Sequence, residues 1–163
     1  MKNIATLPLV ILATFALSQT ALADPLPDLV EDIAQAYANS DAAALGALYA
    51  NDATLESPAF PGPLSGRNAI VSAEAFLMSA FCDLSWVPTE VVSKHDAIAV
   101  QYVLSGQFCG PFPSRDGTSL MQPTFRHLSL KLATFIQTGR HNEIVRETRY
   151  ADIDNFYDQL EQN

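Results

Sequence analysis

Apolar residues recur every three or four positions in three stretches of the first half of the chain, and this periodicity predicts three amphipathic helices. The stretches cover residues 28–39, 42–49 and 67–81. A short strand is predicted over residues 53–57, and residues 58–66 hold three prolines and two glycines, which is typical of a loop. The first half is therefore predicted to be mostly helical.

In the second half the pattern changes to alternation of apolar and polar residues, which predicts strands. Residues 86–92 and 98–105 form a predicted hairpin, and the even-numbered positions of its second strand are apolar and should face a core. Further strands are predicted at residues 125–137 and 144–150, followed by a short helix. Helices followed by a meander of antiparallel strands predict an α+β domain, with the helices against one face of a curved sheet.

The two cysteines lie on either side of this hairpin. With a turn centred near Lys94 and His95, Cys82 and Cys109 are almost opposite each other at its open end. In an oxidising compartment such thiols form a disulfide, so a bridge is predicted. The alternative is two buried free thiols, because a register error of a few residues would separate their α-carbons too far. Neither cysteine belongs to a C-x-x-C motif, which argues against redox catalysis.

Residues 1–23 have the layout of a secretory signal peptide, with Lys2, a short apolar run and the small-residue site Ala21-Leu22-Ala23. The apolar run is shorter than the roughly 20 residues that span a bilayer. We therefore expect a mature domain of residues 24–163 that is periplasmic or secreted and has no membrane partner after cleavage. An uncleaved membrane anchor is the alternative.

The chain carries 18 acidic and 9 basic residues, a net charge of −9, and lacks the basic patches that nucleic-acid binding requires. Its three histidines, His95, His127 and His141, have no partners at the spacing of metal ligands. The sequence contains no dinucleotide-binding, P-loop, zinc-protease or nucleophile-elbow motif. We therefore expect no nucleic-acid partner, no metal and no cofactor.

Five segments, taken in order, carry a resemblance to a known family. They are A-L-Y-A-N-D at residues 47–52, S-P-A-F-P-G-P-L-S-G-R at 57–67, F-C-D-L-S-W at 81–86, G-Q-F-C-G-P-F at 106–112, and I-V-R-E with Y-A-D at 144–152. Together they resemble the SnoaL-like polyketide cyclases, also called ester cyclases, of the nuclear transport factor 2-like superfamily. The resemblance implies a cone formed by a curved antiparallel sheet wrapped around helices, a cystatin-like α+β barrel, with an apolar small-molecule pocket inside.

The resemblance also implies cofactor-free aldol ring closure, which in catalytic members uses a histidine in a G-x-H-x-G segment and an aspartate on the next strand. In this chain the histidine position is Phe108, and the aspartate position falls on Lys131. A phenyl ring cannot transfer a proton, and a lysine with its usual pKa keeps its proton at neutral pH. The family mechanism is therefore not available from these two residues.

Candidate pocket residues follow from the family geometry. Tyr49, Trp86, Tyr102 and Phe108 should line the cavity, although each is equally well explained as a core residue. The mouth of the cone is expected to include a second set, namely Glu56, Tyr150 and Asp152. For Asp152 the alternative is a cap on the terminal helix, which is the commoner role of an aspartate at such a position.

His127, Ser129 and Lys131 share one face of their predicted strand, and Leu128, Leu130 and Leu132 share the other. If the polar face meets the cavity, His127 is the best acid–base candidate and Lys131 an anchor for an anion or a carbonyl group. The alternative is that the leucines point inward and the polar face meets solvent or a dimer partner.

Three functions are compatible with these patterns. The first is an exported protein that binds a small, mostly apolar or polyketide-like molecule in its cone. The second is a cofactor-free lyase, isomerase or cyclase that uses His127. The third is a dimeric interaction module whose open sheet face carries the function and whose cone is a filled core. A homodimer is expected.

Overall fold

The computed structural model describes residues 27–161, so the predicted signal peptide at residues 1–23 lies outside the described part of the chain. Four helices are present: α1 (Asp28–Ala38), α2 (Ala42–Ala47), α3 (Arg67–Ala80) and α4 (Ile153–Glu161). Asp41 caps α2 by accepting a hydrogen bond of 2.8 Å from the Ala44 amide. Within residues 27–161 no helix is long and apolar enough to cross a membrane.

Six strands form one curved sheet, namely β1 (Tyr49–Glu56), β2 (Leu64–Ser65), β3 (Phe81–Lys94), β4 (Ala97–Phe108), β7 (His127–Thr138) and β8 (Ile144–Ala151). Their order across the sheet is β2-β1-β8-β7-β4-β3. The two remaining strands, β5 (Phe112–Pro113) and β6 (Leu120–Met121), pair with each other. The predicted α+β class is confirmed, with one difference in topology. The last strand, β8, lies beside the first and runs parallel to it, so the sheet is mixed.

The concave face of the sheet packs against the helices. Alternation in β4 holds as predicted: Ile98, Val100, Tyr102, Leu104 and Phe108 are all buried. A strand places successive side chains on opposite faces, so this row meets the helices while the odd-numbered row faces outward. The predicted core strand is confirmed.

The segment between β4 and β7 closes over α3 and α4. The Phe112 ring lies 5.9 Å from the ring of Phe76 and 5.6 Å from that of Phe156, measured between centroids. Arg115 forms ion pairs of 2.9 Å and 2.5 Å with Asp154 and Asp158 on α4. Apolar contacts and exposed ion pairs therefore hold this segment and the terminal helix together.

The predicted disulfide is present between Cys82 and Cys109, whose α-carbons are 5.8 Å apart. The hairpin turn lies at residues 95–96, slightly later than expected, because Lys94 pairs with Ala97. Beside the bridge, Gly110 approaches α3 so closely that a β-carbon would lie 2.3 Å from the Ser79 carbonyl oxygen. The bridge therefore anchors the closing segment at the point where it meets α3.

Replacing both Cys82 and Cys109 with Ser should lower the free energy of unfolding by about 2–4 kcal/mol, because the open chain gains entropy when unfolded. Differential scanning calorimetry with and without dithiothreitol tests this. The reductant should lower the melting temperature of the wild type towards that of the double variant and leave the variant unchanged. Equal melting temperatures for the oxidised wild type and the variant would contradict the prediction.

Candidate functional site

The aromatic residues predicted to line a cavity are all buried inside the cone. Tyr49, Trp86, Tyr102 and Phe108 are each at most 4% exposed. Trp86 stacks on Tyr37 of α1 with ring centroids 4.2 Å apart, and it meets Tyr102 edge to face at 5.7 Å. The rings of Tyr37, Trp86 and Tyr102 form an aromatic wall that joins the sheet to the first helix, whereas Phe108 packs against Phe81.

A charged network crosses the interior beside this wall. The guanidinium of Arg149 on β8 donates from Nη1 to Glu74 of α3 at 2.6 Å and from Nε to Glu147 at 2.7 Å. All three side chains are at most 6% exposed. The Arg149 Cζ atom also lies 5.1 Å from the centre of the Trp86 ring, close enough for a cation–π contact. One buried cation thus pairs with two buried carboxylates.

Three hydroxyl groups complete the network. Tyr37 donates to Glu74 at 2.6 Å, Thr134 donates to Glu147 at 2.9 Å, and Tyr49 also donates to Glu147. Hydrogen bonds to a carboxylate are stronger than bonds between neutral groups, and buried charges are tolerated only when they are paired and hydrogen-bonded. Both carboxylates meet this condition.

The surroundings determine the protonation states. Burial raises the pKa of Glu147, but the Arg149 charge and the hydrogen bonds from Arg149, Tyr49 and Thr134 outweigh it, so the pKa lies below its ordinary value. Burial also raises the pKa of Tyr37, Tyr49 and Tyr102, so these hydroxyls keep their protons. Glu147 is therefore an ionised acceptor surrounded by donors.

Two buried polar atoms remain beside the network without a partner. Among residues 27–161, no protein atom forms a hydrogen bond with the Trp86 indole Nε1 or the Tyr102 hydroxyl. Leaving a buried polar group unsatisfied costs about 1–3 kcal/mol, and such groups are rare in folded proteins. The interior thus combines an aromatic wall, an ionised carboxylate and two polar groups without a protein partner among the described residues.

Sequence reasoning missed Glu74, Glu147 and Arg149. On α3 the buried positions Ile70, Glu74 and Met78 are spaced four residues apart, so a glutamate occupies a core position of the helix. A glutamate in an otherwise apolar row of the helix was the signal in the sequence that could have indicated a buried charge.

On β8 a bulge at Val145 hides the signal. Thr138 of β7 pairs with Ile144, whereas the preceding Gln137 pairs with Arg146, so one residue of β8 is left over. Alternation counted from Ile144 would turn the even-numbered side chains inward. The bulge reverses this and turns Glu147 and Arg149 towards the core instead.

The hypothesis that the polar face of β7 meets the interior is wrong. His127, Ser129 and Lys131 are exposed on the outer face, whereas Leu128, Leu130 and Leu132 are buried. Burial of the three leucines is the stronger driving force, since burying one such side chain contributes about 1.5–3 kcal/mol. His127 and Lys131 therefore lie outside the interior. Lys131 is also the position to which the resemblance assigns the catalytic aspartate.

The other predicted pocket residues also lie outside the cone. Glu56 forms a 3.5 Å ion pair with Arg146, and both Glu56 and Tyr150 line an open cavity of about 450 Å³ beside the proline-rich loop. Tyr150 also lines a shallower cavity of about 370 Å³ together with Lys131 and Asp152. Asp152 accepts a 3.0 Å hydrogen bond from the Asn155 amide, which is the capping role given as its alternative. The predicted pocket therefore divides into a buried set inside the cone and a solvent-accessible set, and Arg149 also lines the cavity of about 450 Å³ beside the accessible set.

The lowered pKa of Glu147 predicts acid-sensitive stability. At pH values above the ordinary pKa of about 4.5, the ionised Glu147 carboxylate stabilises the fold. This contribution is lost as the pH falls through the lower pKa of the folded state. Glu147→Gln should destabilise the protein by about 1.5–3 kcal/mol at pH 7, because hydrogen bonds to a charged group are lost. The difference from wild type should shrink as the pH falls below 4.5.

Urea unfolding between pH 7 and pH 3, followed by the fluorescence of the single tryptophan, measures this difference. Glu90→Gln serves as the control, because Glu90 is exposed on β3. The control should follow the wild type at every pH. A Glu147→Gln difference that stays constant with pH would contradict the assignment of an ionised Glu147.

Comparison with known proteins places the chain in a family. A profile of the SnoaL-like domain matches residues 30–147, while no curated protein matches. A hypothetical protein with a ketosteroid isomerase-like fold from Catenulispora acidiphila, solved in complex with trimethylamine, is 21% identical, with a TM-score of 0.69 and coverage of 85% of this chain and 96% of that one. A proposed SnoaL-like polyketide cyclase from Jannaschia sp. CCS1 is 15% identical, with a TM-score of 0.70 and coverage of 83% and 91%. IdmH from Streptomyces antibioticus, a proposed polyketide cyclase, is 21% identical, with a TM-score of 0.65 and coverage of 81% and 95%. These structures share the fold, and the sequence match shows that the chain belongs to the SnoaL-like domain family.

Proposed function

We propose that this protein binds a small molecule inside its cone. The observation that carries the proposal is the pair of unpartnered polar groups, Trp86 Nε1 and Tyr102 OH, buried beside the Arg149 network. A core that serves only stability gains nothing from two such groups, because each loses its hydration without gaining a bond. A bound molecule that supplies hydrogen-bonding atoms removes this cost.

Family membership supports the proposal in general terms. The similar structures include a protein solved with trimethylamine and two proposed polyketide cyclases, so the shared fold accommodates small molecules elsewhere. Identities of 21% or less to these proteins carry the fold and not the ligand. The ligand of this chain is therefore inferred from its own interior residues.

The proposed function is binding without the aldol chemistry of the catalytic family members. Phe108 occupies the histidine position, and it is buried against Phe81 at a centroid distance of 5.8 Å. Because phenylalanine has no titratable group, it supplies no acid or base. We further propose that the protein acts after export, which fits the signal-like residues 1–23 and the Cys82–Cys109 bridge.

Native mass spectrometry of the protein purified from its producing cells tests the binding function. A small molecule that leaves on denaturation is expected. A titration with cyclohexanol, followed by the indole N–H resonance of Trp86 in ¹⁵N-labelled protein, locates the site, since the chain has one tryptophan. His127→Ala is the control and should leave the titration unchanged, because His127 lies on the outer face. Protein without a bound molecule, together with a stationary indole resonance, would contradict the proposal.

A second candidate function is homodimerisation through the outer face of the sheet. Phe135 of β7 and Tyr150 of β8 are 56% and 59% exposed, and their rings meet edge to face at 5.9 Å. Val92 of β3, which is 71% exposed, lies in the same row across the sheet, because Val92 pairs with Ala99 and Ala99 pairs with Phe135. Large apolar side chains grouped on an exposed surface commonly mark an interaction site, and a second copy of the chain offers the same face.

Sedimentation equilibrium tests the dimer. Phe135→Glu should convert a dimeric wild type into a monomer, because each copy would bury an unpaired carboxylate in the interface. Phe125→Glu is the matched control, since Phe125 is 62% exposed outside the sheet and its replacement should leave the dimer intact. A monomeric wild type would exclude this candidate without affecting the proposed binding site.

A further inference from the structure

The strand β8 extends beyond its neighbour β1 at one end. Glu56, the last residue of β1, pairs with Thr148, whereas β8 continues to Ala151. On its other side β8 stays paired with β7 as far as Ala151. In the part of the chain that the structure describes, no strand pairs with residues 149–151 on the β1 side, so this edge of the sheet is open.

A proline explains why the pairing stops here. The register of the two strands would bring Ser57 and Pro58 opposite Arg149 and Tyr150. Proline has no amide hydrogen, and in sheets it is confined to edges, strand ends and bulges. The chain therefore leaves the sheet after β1 and forms a loop with two further prolines before it returns as β2.

The cavity of about 450 Å³ lies between this loop and the open edge. Its lining consists of residues 148–151 of β8 together with residues 56–58 and 62–63. Ligand sites commonly have volumes of roughly 300–1,000 Å³. A strand rises about 3.3 Å per residue, so the three unpaired residues offer about 10 Å of edge. The gap in the sheet is therefore long enough for a short extended segment.

The charges around the cavity are nearly balanced. Glu56 pairs with Arg146 at 3.5 Å, and the neighbouring cavity adds Lys131 and Asp152, one of each sign. Arg149, which lines the larger cavity, is held by two buried carboxylates, so one of these carboxylates has no cation of its own. The whole chain carries a net charge of −9. Both the local and the overall charge favour a neutral or basic partner over an acidic one.

We propose that the open edge of β8 binds a short extended peptide of neutral or basic sequence as an added strand. An unpaired strand edge presents backbone N–H and C=O groups that pair with another extended chain. The exposed ring of Tyr150 and the prolines that line the cavity offer apolar contacts for its side chains. This site does not depend on the proposed binding of a small molecule inside the cone.

Three peptides separate backbone pairing from charge. Acetyl-Val-Lys-Val-amide is the probe, because valine favours extended structure, and in ¹⁵N-labelled protein it should shift the backbone amide resonances of Tyr150 and Ala151. The second peptide carries N-methyl groups on its lysine and on its second valine. Adjacent N–H groups of a strand point to opposite sides, so this change removes one hydrogen bond to β8 and should weaken binding about 3–10-fold. Acetyl-Val-Glu-Val-amide should bind about 2–5-fold more weakly than the lysine peptide, the factor expected for one exposed charge.

Gly62→Phe tests the cavity itself. Gly62 lines the cavity, and a β-carbon at this position would meet no atom within 4 Å, so a larger side chain can be attached there without a clash at its base. The added ring should abolish the shifts caused by the lysine peptide and leave the melting temperature unchanged. Leu120→Phe is the matched control, because Leu120 is exposed on β6, outside the main sheet, and this variant should bind the peptide as the wild type does.

Equal binding of the lysine peptide and its N-methyl analogue would overturn the proposal, as would shifts confined to residues outside the lining of the cavity. Shifts of Tyr150 and Ala151 that depend on protein concentration in the absence of peptide would also overturn it, because a second copy of the chain would then occupy the edge. None of these results bears on the interior site, which the indole resonance of Trp86 reports separately.

Discussion

The pairing of Arg149 with Glu74 and Glu147 is the interaction on which the interior of this protein depends. It joins α3 to β8, and through Tyr49 and Thr134 it also involves β1 and β7. Removing one partner of a buried ion pair is destabilising, because the remaining charge stays buried with less compensation. The helices and the sheet must therefore approach each other in one arrangement, in which all three groups meet.

This constraint gives the two faces of the sheet different roles. The inner face carries the ion network and the stacked rings of Tyr37 and Trp86, whereas the outer face carries an exposed aromatic pair and open cavities. A polar network inside a cone costs desolvation that an apolar core avoids, but a network whose members are hydrogen-bonded rigidifies the core and favours one arrangement of it. The inner face thus carries the groups that fix the packing of the helices, and the outer face carries the groups that meet solvent.

The fold and the functional site place different requirements on the sequence. The fold of the SnoaL-like domain needs apolar rows on the inner face and helices to cover them, and many side chains satisfy that need. The site needs particular groups at particular positions, and here Phe108 packs where catalytic relatives are expected to carry a histidine. Sharing a fold with proposed polyketide cyclases therefore leaves the activity of this chain to be derived from its own residues.

The sequence by itself determined the elements whose period is regular and the bridge that their register implies. Alternation placed the even-numbered residues of β4 in the core, and the hairpin pattern placed Cys82 and Cys109 at the same open end, where the bridge forms although Cys82 pairs with Gln107 in the sheet. Only the tertiary structure decided which polar residues are buried. Glu147 and Arg149 turn inward because a bulge at Val145 reverses the alternation of β8. The parallel pairing of β1 with β8 joins the first strand of the chain to the last, so no local pattern predicts it. Period and propensity are local properties, whereas a bulge and a buried ion pair depend on partners far away in the chain.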